Sequence, residues 1–565
     1  MLRVQGDNLV RNMKFRPSSH LLLILGLFAT GPELLAQGVL SGGLESNTIL
    51  YRDDPRTGIV APENGYGSMN YLKLNYLGAS SAKGGWGAGL QMEINPSVIS
   101  GYDPALRGAG LTGIYFSGNR RFGSSELSVT VGDFYEQFGS GLVLRSWEDR
   151  ELGIANSIGG ARVKLDAFDH VVKVTALGGF PRYGIGTFFN SRSATLVSGG
   201  NVSLDVGRLV RLPDELSLSV EGSLLDRYES RNPRDLEVLA AAKGFALPAH
   251  VPVYSVGGSF GAGGFSLGFE WAGKGNDLTA VHKEGGITDY GLEKGHAWRV
   301  EASFSHGPFS VTATARELSN MENRLMRTSA APAIGNTLNY LPALCQMQTY
   351  MLASLNPYAT LAEGERGYQG DAFWRIPKGS ALGGKYGTTL HAGGAWIQTL
   401  PRALSGYDGP RFSYRELNVD IDRRWSRSFR TVLFMSIQEK SPSHGQTRGT
   451  EAQNVFVLDA TWKSPGKLSL RGELQYLYSR ELTRDWMAGL LELNYAPHWG
   501  VFVSDMYNHG DTRIHYYNFG ASYSLNAFRV ALSYGRNRAG MVCSGGVCRF
   551  RPAYSGGQLS LQYSF

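Results

Sequence analysis

The sequence predicts an all-β protein, a large transmembrane antiparallel β-barrel of roughly 18 to 24 strands with one long mid-chain insert. Three observations carry this. Short segments alternate apolar and polar residues at period two over much of the chain. Gly 74 and 11% aromatic residues accompany repeated turn signals between runs rich in Val, Ile, Thr and Tyr. Beyond the N-terminal region no run of about 18 apolar residues offers a spanning helix, and a mean hydropathy of -0.19 suits strands that show only alternate residues to lipid.

Residues 1–36 read as a secretory signal peptide. Lys14 and Arg16 supply the basic region, Leu21 to Phe28 the apolar core, and Ala36 the small residue before a cut at Gln37, with Met13 an alternative start. Its removal takes four basic and two acidic residues and lowers the formal charge from +7 to +5, an excess too mild to indicate nucleic acid. No cysteine stands near the cut, which argues against a lipid-anchored protein.

Residues 37–565 then form the barrel. Tyr71, Lys73 and Asn75 already interleave with Leu72, Leu74 and Tyr76, which leaves little chain for the N-terminal globular plug of a TonB-dependent receptor. Hairpins follow with two kinds of connection. Tight turns are expected at Ser464–Lys467, Ala496–Trp499, Ser305–Pro308 and Arg424–Arg427, facing the periplasm. Longer polar links at Lys440–Glu451, Asn508–Arg513 and Arg536–Ser555 face outside.

Up-and-down strand counting fails between Val131 and Ile158 and again between Arg316 and Thr388. The second stretch, residues 318–387, is too long for an ordinary loop and is expected to be a long loop, a plug-like insert, or a region holding missed strands. Within it Leu341, Leu344, Met351 and Leu355 recur at helical spacing after Pro342, which predicts a short helix.

The last third shows the clearest alternation. Tyr517 to Leu525, Phe528 to Tyr534 and Leu559 to Phe565 place apolar residues at every second position. The chain stops on Phe565 with Tyr563 two places earlier, the pattern of an outer-membrane barrel's C-terminal signal, which would be read by the barrel assembly machinery. Trp271, Trp298, Trp396, Trp462 and Trp486 fall near strand ends and read as an interfacial girdle. Arg423, Arg424, Arg427 and Arg430 straddle a turn and read as a solvated rim.

Alternation also assigns inward residues. Glu301, Glu416, Asp420, Asp422, Asp459, Glu473 and Glu492 face Arg299, Arg316, Arg430, Lys440, Lys463, Arg471 and Arg529. Balanced signs favour a ladder of cross-strand ion pairs over a selectivity filter, with Glu416, Asp420 and Asp422 set near Arg430.

Cys543 and Cys548 are expected to close a small disulfide loop in preference to a zinc site, leaving Cys345 over. No metal or cofactor site emerges. Ser443-His444 lies in a loop, His391, His498, His509 and His515 have no partners that sequence can assign, and Gly-x-Ser-x-Gly is missing, so no catalytic residue is assigned. Gly139-Ser-Gly141 lacks the strand-to-helix setting of a phosphate loop.

The run Gly132-Asp-Phe-Tyr-Glu-Gln-Phe-Gly-Ser-Gly-Leu-Val-Leu144, the segment from Asn339-Tyr-Leu-Pro342 to Asn356-Pro-Tyr358, and the Cys543–Cys548 loop together resemble an uncharacterised family of Bacteroidota outer-membrane barrels. The resemblance implies fold and location and assigns no functional residue. The expected function is a non-enzymatic barrel in the cell outer membrane, in contact with outer-membrane lipid and acting as subunit or scaffold of a complex with other envelope proteins. A porin-like channel for small solutes is the alternative, and a barrel-embedded lipid hydrolase the least favoured reading.

Overall fold

The computed structural model describes residues 38–565 apart from 79–80, 187, 284–287, 328–335, 402–403, 406–408, 446–448 and 482–483. The expected signal peptide, residues 1–36, lies outside them. From Val39–Arg52 to Tyr554–Ser564 the chain forms a closed barrel of 24 antiparallel strands, each paired with the next in order. The first and last strands close the seam, Gly43 opposite Ser564 and Arg52 opposite Ser555. Phe565 extends it: its N–H donates to the Gly42 carbonyl at 3.0 Å, and Gly42 N–H donates to the Phe565 carbonyl at 2.8 Å. Closure is what an apolar surround demands, because a free sheet edge would leave N–H and C=O groups without partners.

The outer wall carries the apolar half of the alternation. Phe456, Leu474, Met487, Val503, Phe519 and Leu532 are exposed, as are Trp271, Trp396 and Trp462. Tyr563 and Phe565 stack on each other, ring centroids 5.6 Å apart. Trp486 departs from the expected girdle: it is buried on the inner wall against Tyr516, at 5.8 Å. Its position at a strand start fixes depth, but register sets the face, and Trp486 shares the inward face with buried Ala488.

Tight connections such as His306 to Phe309, Lys463 to Leu468 and Tyr495 to Trp499 share one rim with the seam's Ser564 end, where 206–215 and 377–387 are longer exceptions, and the longest connections, 135–157 and 320–363, lie at the other. The two failures of strand counting both fall at the long-loop rim. Residues 135–157 hold two small hairpins, Gln137–Phe138 with Leu144–Arg145 and Glu148–Asp149 with Ile154–Ala155. The stretch 318–387 is shorter as an insert than expected, because Gly364–Ile376 is a barrel strand paired on both sides. Gly364, Arg366 and Gly370 thin its outward face, shared with exposed Tyr368 and Trp374, which hides it from the alternation test. The insert proper is 320–363, and it contains no α-helix at 341–355, only a single turn closed by Ser354 N–H on the Tyr350 carbonyl at 3.0 Å. Barrel side chains take the backbone groups that a helix would use. Gln475 accepts the Leu352 N–H at 3.0 Å, Gln438 donates to the Ala353 carbonyl at 3.1 Å, and Arg538 donates to the Leu355 carbonyl at 2.9 Å.

Candidate functional site

The lumen at the long-loop rim is filled by the chain itself. On one side of the wall Val197, Leu225, Val253, Ala297 and Leu318 face inward and are fully buried against Leu144 of the first insert and Leu325 and Leu338 of the second. On the opposite side Phe434, Val455, Leu477 and Trp486 pack on Tyr350, Leu352 and Leu355. Strands apolar on both faces are the signature of a wall between lipid and a packed interior. The described residues of the second insert therefore reach from Leu325 and Leu338 at one wall to Tyr350, Leu352 and Leu355 at the opposite one.

Three segments interlock there. Arg145 N–H donates to the Leu338 carbonyl at 2.6 Å, Tyr340 N–H to the Gly141 carbonyl at 2.9 Å, and Asn339 Nδ2 to the Leu142 carbonyl at 3.2 Å. The third segment is the hairpin Gly540–Ser544 with Val547–Arg551, closed by a Cys543–Cys548 disulfide. Ala343 N–H donates to the Gly546 carbonyl at 2.9 Å, and Arg549 reaches the carbonyls of Gly101 and Glu151 at 2.9 and 3.1 Å. Gly139 makes the first insert's tip possible. Its φ is +53°, and a Cβ there would lie 2.7 Å from Glu270 Oε1 and 3.1 Å from Glu221 Oε1. The glutamates meet the tip because Gly257, between them in register, has no side chain.

Buried ion pairs anchor the assembly. Arg182 makes a bidentate pair with Glu93 at 2.7 and 2.9 Å. Asp277 accepts from Arg227 at 2.7 Å and from Arg327 of the insert at 3.2 Å, with Lys274 Nζ 3.7 Å away. Glu229 accepts the Arg327 N–H at 3.1 Å, and burial pushes its carboxyl above the usual range. Glu365 accepts from Arg316 at 2.7 Å, from the Tyr358 hydroxyl at 2.9 Å and from the Leu361 N–H at 2.8 Å. Such pairs hold geometry more than they add net stability, because desolvation offsets much of their attraction. Most of these residues are absent from the expected inward list, and Arg316 is the exception.

The expected ladder is distributed among several partners. Arg299 pairs with Glu301. Arg430 grips Asp422 with two bonds of 2.7 Å. Asp420 instead holds His391, at 2.5 Å, whose other nitrogen lies 3.2 Å from Asp371. Glu416 turns to the insert, accepting the Gln346 N–H at 2.6 Å. Arg471 gathers Asp459 and Glu492, each at 3.0 Å, and Glu473.

Among the cavities between the described parts are two larger ones. One of about 280 Å³ lies between the insert and the disulfide hairpin, and Cys345, Cys543 and Cys548 all line it. Burial raises the Cys345 thiol well above its ordinary value. The other, about 310 Å³, is lined by polar side chains together with Leu90, Phe134 and aromatic rings, and lies against the wall under the first insert. Among the described residues no group of three or more His, Cys, Asp or Glu is placed to hold a metal ion. Among the described residues Ser413 Oγ lies 3.4 Å from His444 Nδ1, and this serine is buried and also hydrogen-bonded with the Tyr358 hydroxyl at 3.1 Å.

A family model matches residues 17–565. The chain belongs to a family of unknown function, DUF6029. No curated protein matches the chain. Among solved structures, Pseudomonas aeruginosa OccK3 (OpdO) is 10% identical with a TM-score of 0.36, covering 94% of this chain and 97% of that one. Acinetobacter baumannii OccAB3 is 10% identical with a TM-score of 0.36, covering 94% and 100%. The siderophore receptor PirA from Pseudomonas aeruginosa is 10% identical with a TM-score of 0.40, covering 93% and 80%.

Proposed function

We propose that the chain is a non-enzymatic solute channel of a Bacteroidota outer membrane, exported by residues 1–36 and inserted by the barrel assembly machinery, whose lumen its own loops narrow. The observation that carries this reading is the asymmetry of the lumen. At the long-loop rim three segments are packed into an ion-paired plug with apolar clusters, whereas a cavity lined by both polar and apolar groups persists against the wall beneath. A scaffold has no need of an interior cavity lined by polar groups. The ion pairs answer one another, so no ring of one sign selects for small ions. Purified full-length protein in planar bilayers is expected to give small, reproducible unitary conductance. Silence from correctly folded protein would sink the channel.

A second reading, subunit of an envelope complex, rests on residues 377–387. This connection lies at the tight-turn rim, yet it is longer than its neighbours and presents Leu382 to solvent. Stoichiometric partners retained in mild detergent, and lost when 378–386 is shortened to a tight turn, are the result this reading requires.

A further inference from the structure

The cavity of about 310 Å³ is built into the inner wall by the strands Tyr66–Leu77, Gly84–Ser97, Gly108–Phe122, Ser125–Phe134 and Ile158–Ala167, with Tyr135 and Ser157 of the first insert against it. Most of its charges are already spent. Arg162 donates to Glu136 at 3.1 Å and to the Tyr135 carbonyl at 2.9 Å. Asp133 accepts from Arg192 at 2.7 Å and from Ser157 at 2.9 Å. Lys73 is different: among the described residues its ammonium has no hydrogen-bond or ion-pair partner. Lys73 thus brings the cavity a positive charge that no carboxylate answers, while Glu136, which answers Arg162, is shared with Lys164 at 2.7 Å.

A second observation is independent of that charge. Thr112 is 2% exposed, lines the same cavity, and its hydroxyl has no hydrogen-bond partner. A buried hydroxyl without a partner costs free energy unless something enters to meet it. Beside it the Tyr115 hydroxyl donates to Asn75 Oδ1 at 3.1 Å. The Tyr115 ring lies over Gly89, where any Cβ would come within 2.1 Å of it. This fixes an aromatic face in the wall.

We propose that this cavity binds a small hydroxylated monoanion of the sugar-acid class, its carboxylate on Lys73 and its hydroxyls on Thr112, Tyr115 and Asn75. The one unpartnered cation among the described lining residues matches a single negative charge. The neutral groups are hydroxyls and amides that both donate and accept, as polyhydroxylated solutes require. The volume is at the small end for a ligand site, which suits a monosaccharide. The inference rests on the channel reading for its purpose, while its test is independent of conduction.

The test is calorimetric titration of full-length protein in detergent with D-galacturonate, D-galactose and acetate. Galacturonate is expected to bind at least fivefold more tightly than either, because only it offers both the charge and the hydroxyls. Lys73→Met is expected to erase the preference over galactose, and Thr112→Val to weaken galacturonate without erasing it. A preference under fivefold, an unchanged preference in Lys73→Met, or no binding by protein whose folded state is shown by heat-modifiable migration each overturns the proposal. Binding without conductance would keep the site and remove the channel. Conductance without binding would do the reverse.

Discussion

Glu365→Gln is the most informative single perturbation of the plug. The Glu365 carboxylate is 1% exposed and accepts three bonds, from Arg316, the Tyr358 hydroxyl and the Leu361 N–H. Glutamine removes the charge that answers Arg316, itself buried, and its NH₂ group turns a donor toward one of three donors. Breaking a buried pair from one side costs about 3 to 5 kcal/mol. That is a factor of roughly 10² to 4 × 10³ in the ratio of docked to released insert. The loss is expected to stay local, because the Arg227–Asp277–Arg327 anchor holds residues 324–327 through groups that do not touch Glu365. Hydrogen exchange read by mass spectrometry in detergent is the assay. Peptides covering 338–363 are expected to exchange roughly a hundredfold faster or more, with those around 320–327 and the strands unchanged. Equal protection in variant and wild type would refute the reasoning, and so would a uniform loss over the whole barrel.

Three further outcomes are expected. Gly139→Ala forces a side chain into the left-handed region at a cost of about 1 to 2 kcal/mol, so tryptic cleavage at Arg145 should rise while barrel melting stays fixed. Cys543→Ser with Cys548→Ser removes a short covalent loop worth about 2 kcal/mol; proteolysis should appear within 540–551 alone, and protection there equal to wild type would contradict the packing described. Asp54 is held below its usual 3.8 by its hydrogen bond to Arg536. Its stabilising effect is therefore complete above that value and lost as pH falls through the depressed one, so urea unfolding of Asp54→Asn and wild type should differ near pH 6 and converge in strong acid.

The barrel was legible because lipid imposes a simple rule on alternate residues. Phe519, Leu532 and Tyr563 obey it, and the last three strands could be read almost residue by residue. The plug was legible only as a failure of that rule, at 131–158 and 316–388, since a packed interior makes inward positions apolar as well. Val253, Leu318 and Trp486 carry no mark in sequence that separates a lumen-facing from a lipid-facing residue. The anchors were hidden for another reason. Glu93 meets Arg182 and Glu229 meets Arg327 across distances in sequence that no local spacing encodes. Local pairing did show: Asp422 and Arg430 lie on adjacent strands of one hairpin. Glu416 and Asp420, expected beside Arg430, were drawn to Gln346 and His391 because one element was an unforeseen neighbour and the other lay on the preceding strand.

The narrowing of the lumen from within by the 320–363 insert is the claim that carries everything else. Ser319 and Gly364 face each other across a strand pair, so the intervening segment can be replaced by a short Gly-Ser turn without stretching the wall. Single-channel conductance of that variant beside the wild type tests the claim directly. A several-fold rise in a still heat-modifiable barrel is expected, and an unchanged conductance would contradict it.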